Sequence, residues 1–168
     1  MDTLIENLSS IFEEQIDLHR SLIIVLNNEK ASIIGSQLSA LNKVNKEKET
    51  LILKMNRLED KRSDLVSTLA HSLNAGCNHP TLKELCMLTN EPYSSRLAIC
   101  RGKLKSLISK IKELNEGNKK LLFSSIEFVR GSLTRFNNLM TSRTNSVYYP
   151  SGKIEKRNLG GRVLSGDI

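Results

Sequence analysis

Apolar residues return through the first quarter of the chain at Leu4, Leu8, Ile11, Leu18, Leu22 and Val25, with Gln15 in one slot of the same series. Steps of four and three alternate, a period near 3.5 that marks one face of an amphipathic helix. Gly35 with Ser36 is the expected break, because glycine ends a helix cheaply and serine caps the next one. A second series follows at Leu41, Val44, Leu51, Met55, Leu58, Leu65 and Leu69, with Lys48 and Arg62 in two of its slots. Long basic stems can lie along apolar surface with their charge in water, so this seam is expected to be one side of a slender bundle. The helix is expected to reach about Asn74.

Asn74 to Pro80 is a cluster of helix breakers. Thr81 followed three residues later by Glu84 forms a capping box, which predicts a short helix from Leu82 to about Leu88 before Pro92 closes the connection. A third long helix is expected from near Tyr93, with its seam at Leu97, Leu104, Leu107, Ile111, Leu114 and Leu121. After Asn118 the apolar stripe shifts to Leu122, Ile126, Val129, Leu133, Phe136 and Met140. Such a stutter makes the second half of the helix present a different face. From about Thr141 the periodicity stops, and Ser, Thr, Asn, Gly and Pro cannot bury enough apolar area to offset their ordering entropy.

The predicted fold is all-α: an elongated antiparallel helical bundle or coiled coil of three long helices plus one short helix. Residues 1–140 are expected to form the helical domain and residues 141–168 a flexible C-terminal tail. Short connections favour antiparallel neighbours. Which helices share a seam stays open, as does the choice between monomer and homodimer.

Composition narrows the picture. Aromatic residues are 4% of the 168, with no tryptophan, and charged residues are 26%, a profile suited to a helical bundle. The net charge of +7 would suit an acidic partner, a membrane surface or nucleic acid. Its Lys and Arg are spread through the helices, however, and a solvated basic face is the commoner explanation. Aromatic–basic interleaving and any nucleic-acid reading motif are missing. The longest apolar run, Leu22 to Leu26, falls far short of the ~20 residues of a membrane span. The N-terminus has no basic segment or small-residue cleavage site, and three irregularly spaced cysteines fit a reducing compartment. The expected location is cytoplasmic.

Chemistry is hard to find. His71, Cys77, His79 and Cys86 are metal-ligating types near one loop, but they contain no CxxC pair; loop histidines and a packed cysteine account for them better. Cys100 reads as packing. No nucleophile elbow, phosphate loop or dinucleotide fingerprint is present. Glu13, Glu14, Asp60 and Asp64 lie among basic residues on helix faces, where solvated ion pairs are the default. Neither catalysis nor a metal or other cofactor is expected. Two candidate surfaces remain. The stripe from Leu122 to Met140, with Phe128 and Phe136, either packs on another helix of the bundle or offers a face to a partner helix. The tail carries Tyr148 and Tyr149, a residue type that often anchors interfaces.

Three stretches resemble the FlgN family of flagellar type III export chaperones. "LNEGNKKLLFSSIEF", Leu114 to Phe128, is similar to the family's L-N-x-x-N-x-x-L-L-x-x-x-I core, with Leu114, Asn115, Asn118, Leu121, Leu122 and Ile126 on matching positions. "YYPSG" resembles its Tyr-x-x-x-Gly element, with Tyr148 and Gly152 matching. "GSQLSALNKVNKEKETLI" looks like its helix break and Lys/Glu-rich second helix. Two departures are the short "TLKELCML" insert and the extra Tyr149 before Pro150. The resemblance implies a non-enzymatic chaperone for the hook–filament junction proteins FlgK and FlgL. Leu121, Leu122, Ile126, Val129, Leu133, Phe136 and Met140 would hold the cargo's C-terminal segment. Tyr148 and Gly152 would dock on the cytoplasmic domain of the export-gate protein FlhA. The rival reading, a coiled-coil scaffold or adaptor without cargo, predicts a sealed stripe and a dispensable tail.

Overall fold

A computed structural model describes residues 2–72 and 80–142, with side chains to residue 140. It contains four helices: α1 (Asp2–Ile34), α2 (Leu38–Ser72), α3 (Leu82–Leu88) and α4 (Tyr93–Ser142), with no strand among the described residues. The all-α fold predicted from the periodicity is therefore present, and both ends of the short helix fall where the capping box and Pro92 placed them. By compactness the chain divides into two units, Met1–Leu122 and Phe123–Ile168.

Within the first unit, side-chain pairs fix the helix directions. Glu29 meets Lys48 and Gln15 meets Glu59, so α1 and α2 run antiparallel. Glu13 meets Arg96, and Leu26 and Glu29 meet Asn118, so α4 runs parallel to α1. The first helix thus has neighbours on two sides, and its buried stripe is wider than the single 3.5-period series read from the sequence. Ile5, Phe12, Ile16, Leu26, Glu29 and Ile33 are buried beside the expected positions Leu8, Gln15, Leu22 and Val25. Of the expected series, Leu4, Ile11 and Leu18 are only half-buried. A helix covered by two others must bury a broader arc than one in a simple pair.

The main hydrophobic cluster joins Ile5, Leu8, Phe12 and Ile16 to Val66 and Leu69 of α2, Leu85 of α3, and Leu97, Cys100 and Leu104 of α4. Leu85 explains why so short a helix exists, because it seals this cluster with no exposed surface of its own. Glu84 N–H donates to Thr81 Oγ1 at 3.3 Å, and Thr81 N–H donates to Glu84 Oε2 at 2.6 Å. That second bond is the main cause holding the Glu84 carboxyl below its usual range. Ser94 Oγ donates to Cys86 O at 2.7 Å, which ties α3 to the first turn of α4.

The α1–α2 break departs from expectation by one residue. Ser36, not Gly35, takes the left-handed conformation, with φ 51°. Gln37 N–H donates to Ser32 O at 3.0 Å and Ser36 N–H to Ile33 O at 3.1 Å, the two bonds of a Schellman ending. Ser36 therefore terminates α1 and does not cap α2. Gly35 has its own reason to be small: a Cβ there would sit 3.2 Å from Ala31 O.

Candidate functional site

The α4 seam runs Leu97, Cys100, Leu104, Leu107, Ile111, Leu114, Asn118 and Leu121, each buried or half-buried. There it ends. Leu122, Ile126, Val129, Leu133, Phe136 and Met140 continue at steps of four and three, yet all six are exposed, from 39% at Ile126 to 63% at Phe136. Such exposure is what a face offered to a partner helix would require. Leu121 belongs to the seam instead, half-buried, and is set apart from the other proposed cargo contacts. Phe123, Phe128 and Leu139 are also exposed and widen the apolar surface. Phe123 and Leu139, each one residue off the series, lie about 100° round the helix from it on opposite sides, which is why the periodicity does not include them.

An uncovered heptad on a regular helix can do one thing well. It presents knobs and holes to a second amphipathic helix, and exposed apolar patches of this extent commonly mark interaction sites. The flanks are polar: Arg130 pairs with Glu127 along the helix, and Thr134 Oγ1 returns its hydrogen to Arg130 O at 3.0 Å.

The three motif residues upstream separate by environment. Leu114 is half-buried, Asn115 is exposed and Asn118 is buried. Asn118 Nδ2 donates to Leu26 O and to Glu29 Oε2, both at 2.8 Å. Glu29 in turn accepts from Lys48 Nζ. One turn of each long helix is thereby joined through a single carboxylate. A second polar layer lies nearer the α1 N-terminus. Gln15 Nε2 donates to Glu59 Oε2 at 3.0 Å, while Arg62 grips both oxygens of Glu59.

These layers correct the expectation for Lys48 and Arg62. Their heads do not simply ride in water on long stems; each meets a carboxylate, Lys48 across the α1–α2 interface and Arg62 one turn back on its own helix. The Arg62 hydrogen bond is the largest influence on Glu59. It outweighs burial and, with the Arg62 charge and the Gln15 hydrogen bond, holds the carboxyl below its usual value.

The remaining candidates are scattered among the described residues or fall outside them. Cys77 and His79 lie outside the described residues, His71 is exposed, and Cys86 is half-buried. No group of three His, Cys, Asp or Glu side chains among the described residues is placed to hold a metal. Burial pushes the Cys86 and Cys100 thiols up, which leaves little nucleophilic thiolate. Glu13 does form an ion pair, but across helices to Arg96 at 2.8 Å, not along its own. No helix among the described residues is long and apolar enough to cross a membrane. Tyr148 and Gly152 lie outside the described residues.

Comparison with known proteins adds one finding. The family described as FlgN protein matches the chain over residues 1–156. No curated protein and no solved structure matches it.

Proposed function

As the chain belongs to the FlgN family of flagellar export chaperones, we propose that its cargo is the C-terminal segments of the hook–filament junction proteins FlgK and FlgL. In this reading it works in the cytoplasm, without catalysis, and hands its cargo to the flagellar type III export gate. The observation that carries it is the exposed series Leu122, Ile126, Val129, Leu133, Phe136 and Met140. A scaffold without cargo would be expected to keep such a stripe covered.

The mechanism follows from the pattern. Cargo termini that are amphipathic helices expose half-heptads until they meet their neighbours in the assembled junction. A matching half-heptad on α4 would complete them and block premature pairing. Release must remain easy, and a single helix face makes a smaller interface than an obligate one. The tail beyond α4 supplies Tyr148 and Gly152 as the contact with the cytoplasmic domain of FlhA. A tethered contact of this kind raises the local concentration of loaded chaperone at the gate without dictating its orientation.

The test is a pull-down of the full chain against C-terminal and N-terminal segments of FlgK and FlgL. Retention of the C-terminal segments alone supports the reading, and retention of neither refutes it.

A further inference from the structure

Apart from the cargo stripe, a cleft of about 470 Å³ opens among the helices of the first unit. Phe12 and Leu104 lie deep, 2% and 8% exposed, while Ile108 stands 52% exposed. Arg101 and Lys105 of α4 and Arg62 of α2 also line it. The three cations are not equivalent. Arg62 is neutralised by Glu59, whereas Arg101 and Lys105 pair with no carboxylate among the described residues and are exposed.

We propose that this cleft is a second docking site, which takes an acidic amphipathic helix from another protein. Its volume falls in the range of ~300–1,000 Å³ typical of ligand sites. It is open, though, and its unpaired charge sits on one rim instead of converging on a point. That arrangement suits a helix laid into the cleft better than an enclosed small molecule. Arg101 and Lys105 are four residues apart and so stack on one face of α4. Carboxylates at i and i+4 of a docked helix would meet them while its apolar stripe covers Ile108 and reaches toward Phe12 and Leu104.

The cationic column continues past the cleft. Lys112 and Lys119 follow Lys105 at steps of seven on the same face, with Glu116 between them; both lysines are exposed, so the column keeps a net positive charge. From Lys105 to Lys119 the column spans roughly 21 Å at ~1.5 Å per residue, enough to guide about four turns of acidic helix. A membrane fits less well, because the apolar part is recessed. Nucleic acid fits less well, because the floor is apolar.

The probe is a labelled synthetic helix with Leu at the heptad a and d positions and Glu at the flanks. It is titrated against the full chain beside a Lys-flanked version and phosphatidylserine vesicles. The expected result is binding of the Glu peptide alone. It should weaken about tenfold or more in Arg101→Glu/Lys105→Glu and keep its affinity in Leu133→Asp/Phe136→Asp. Arg101→Gln/Lys105→Gln, which removes charge without reversing it, should give a smaller loss. Equal binding of the Lys peptide, loss only in the α4 stripe variant, or vesicle binding in place of peptide binding would each overturn the proposal. None of these outcomes bears on the FlgK and FlgL assignment.

Discussion

Asn118 Nδ2 on α4 donates to Glu29 Oε2 on α1 across 2.8 Å, and the same amide donates to Leu26 O at 2.8 Å. Because Glu29 also accepts from Lys48 on α2, one asparagine sets the register of three helices at once. A buried polar group makes a strong register marker, since any slip leaves it unsatisfied in low dielectric.

Asn118→Ala should therefore destabilise the fold by about 1–3 kcal/mol, while Asn115→Ala, one turn back and exposed, should stay within about 0.5 kcal/mol. Urea unfolding followed by circular dichroism measures both. A double-mutant cycle of Asn118→Ala with Glu29→Gln should show coupling of roughly 0.5–3 kcal/mol. Equal effects of the two asparagines would mean that the hydrogen bonds to α1 contribute nothing.

Ser36→Gly should stabilise the protein. The serine is held at φ 51°, a conformation that costs a side-chain-bearing residue roughly 1–2 kcal/mol. Glycine escapes most of that, less its own entropy cost of about 0.5–1 kcal/mol. The expected net gain is a few tenths to about 1 kcal/mol, read as a higher urea midpoint with an unchanged slope. Ser36→Val should move the midpoint the other way.

Acid sensitivity should depend in part on Glu59. Its carboxyl is held below the usual value, first by the hydrogen bond from Arg62. A depressed folded pKa contributes stability that is complete above the unfolded value and disappears as pH falls through the folded one. Glu59→Gln should thus flatten the loss of stability as pH falls through and below the ordinary carboxylate range. Urea midpoints across that range decide it; an unchanged acid limb would show that the Arg62–Glu59–Gln15 layer has no net linkage to folding. The effect will be modest, because the Glu59 side chain is 53% exposed and solvent screens the pair.

Tyr148→Ala should lower export of FlgK and FlgL while leaving their binding in solution unchanged. The separation follows from assigning docking to the tail and cargo to α4. Secretion assays beside a solution binding measurement check it, and parallel loss of export and binding would contradict the division.

Much of this was legible in the chain because heptad steps depend only on local spacing. The α2 seam from Leu41 to Leu69, the Thr81–Glu84 cap and the end of the α4 seam near Leu121 all follow from the sequence. What needed three dimensions were the pairings. Nothing within α2 says that Lys48 meets Glu29, and nothing near Asn118 says that its amide reaches Leu26, 92 positions away. The wider stripe on α1 was hidden for the same reason, since its second flank is buried only by a helix that begins far along the chain. Ser36 was misassigned because Gly35 carries the stronger composition signal for a helix end, although the left-handed turn falls one residue later.

The central claim is that the open face of α4 holds the cargo. Leu133 and Phe136 are 60% and 63% exposed, so replacing both with Asp should leave folding intact, within about 0.5 kcal/mol per site. Isothermal titration of the C-terminal segments of FlgK and FlgL into the wild-type chain and into Leu133→Asp/Phe136→Asp tests the claim directly. The expected result is binding to the wild type and at least about a tenfold loss in the variant, consistent with two apolar anchors in a helix interface. A folded variant that binds both segments with wild-type affinity would contradict it.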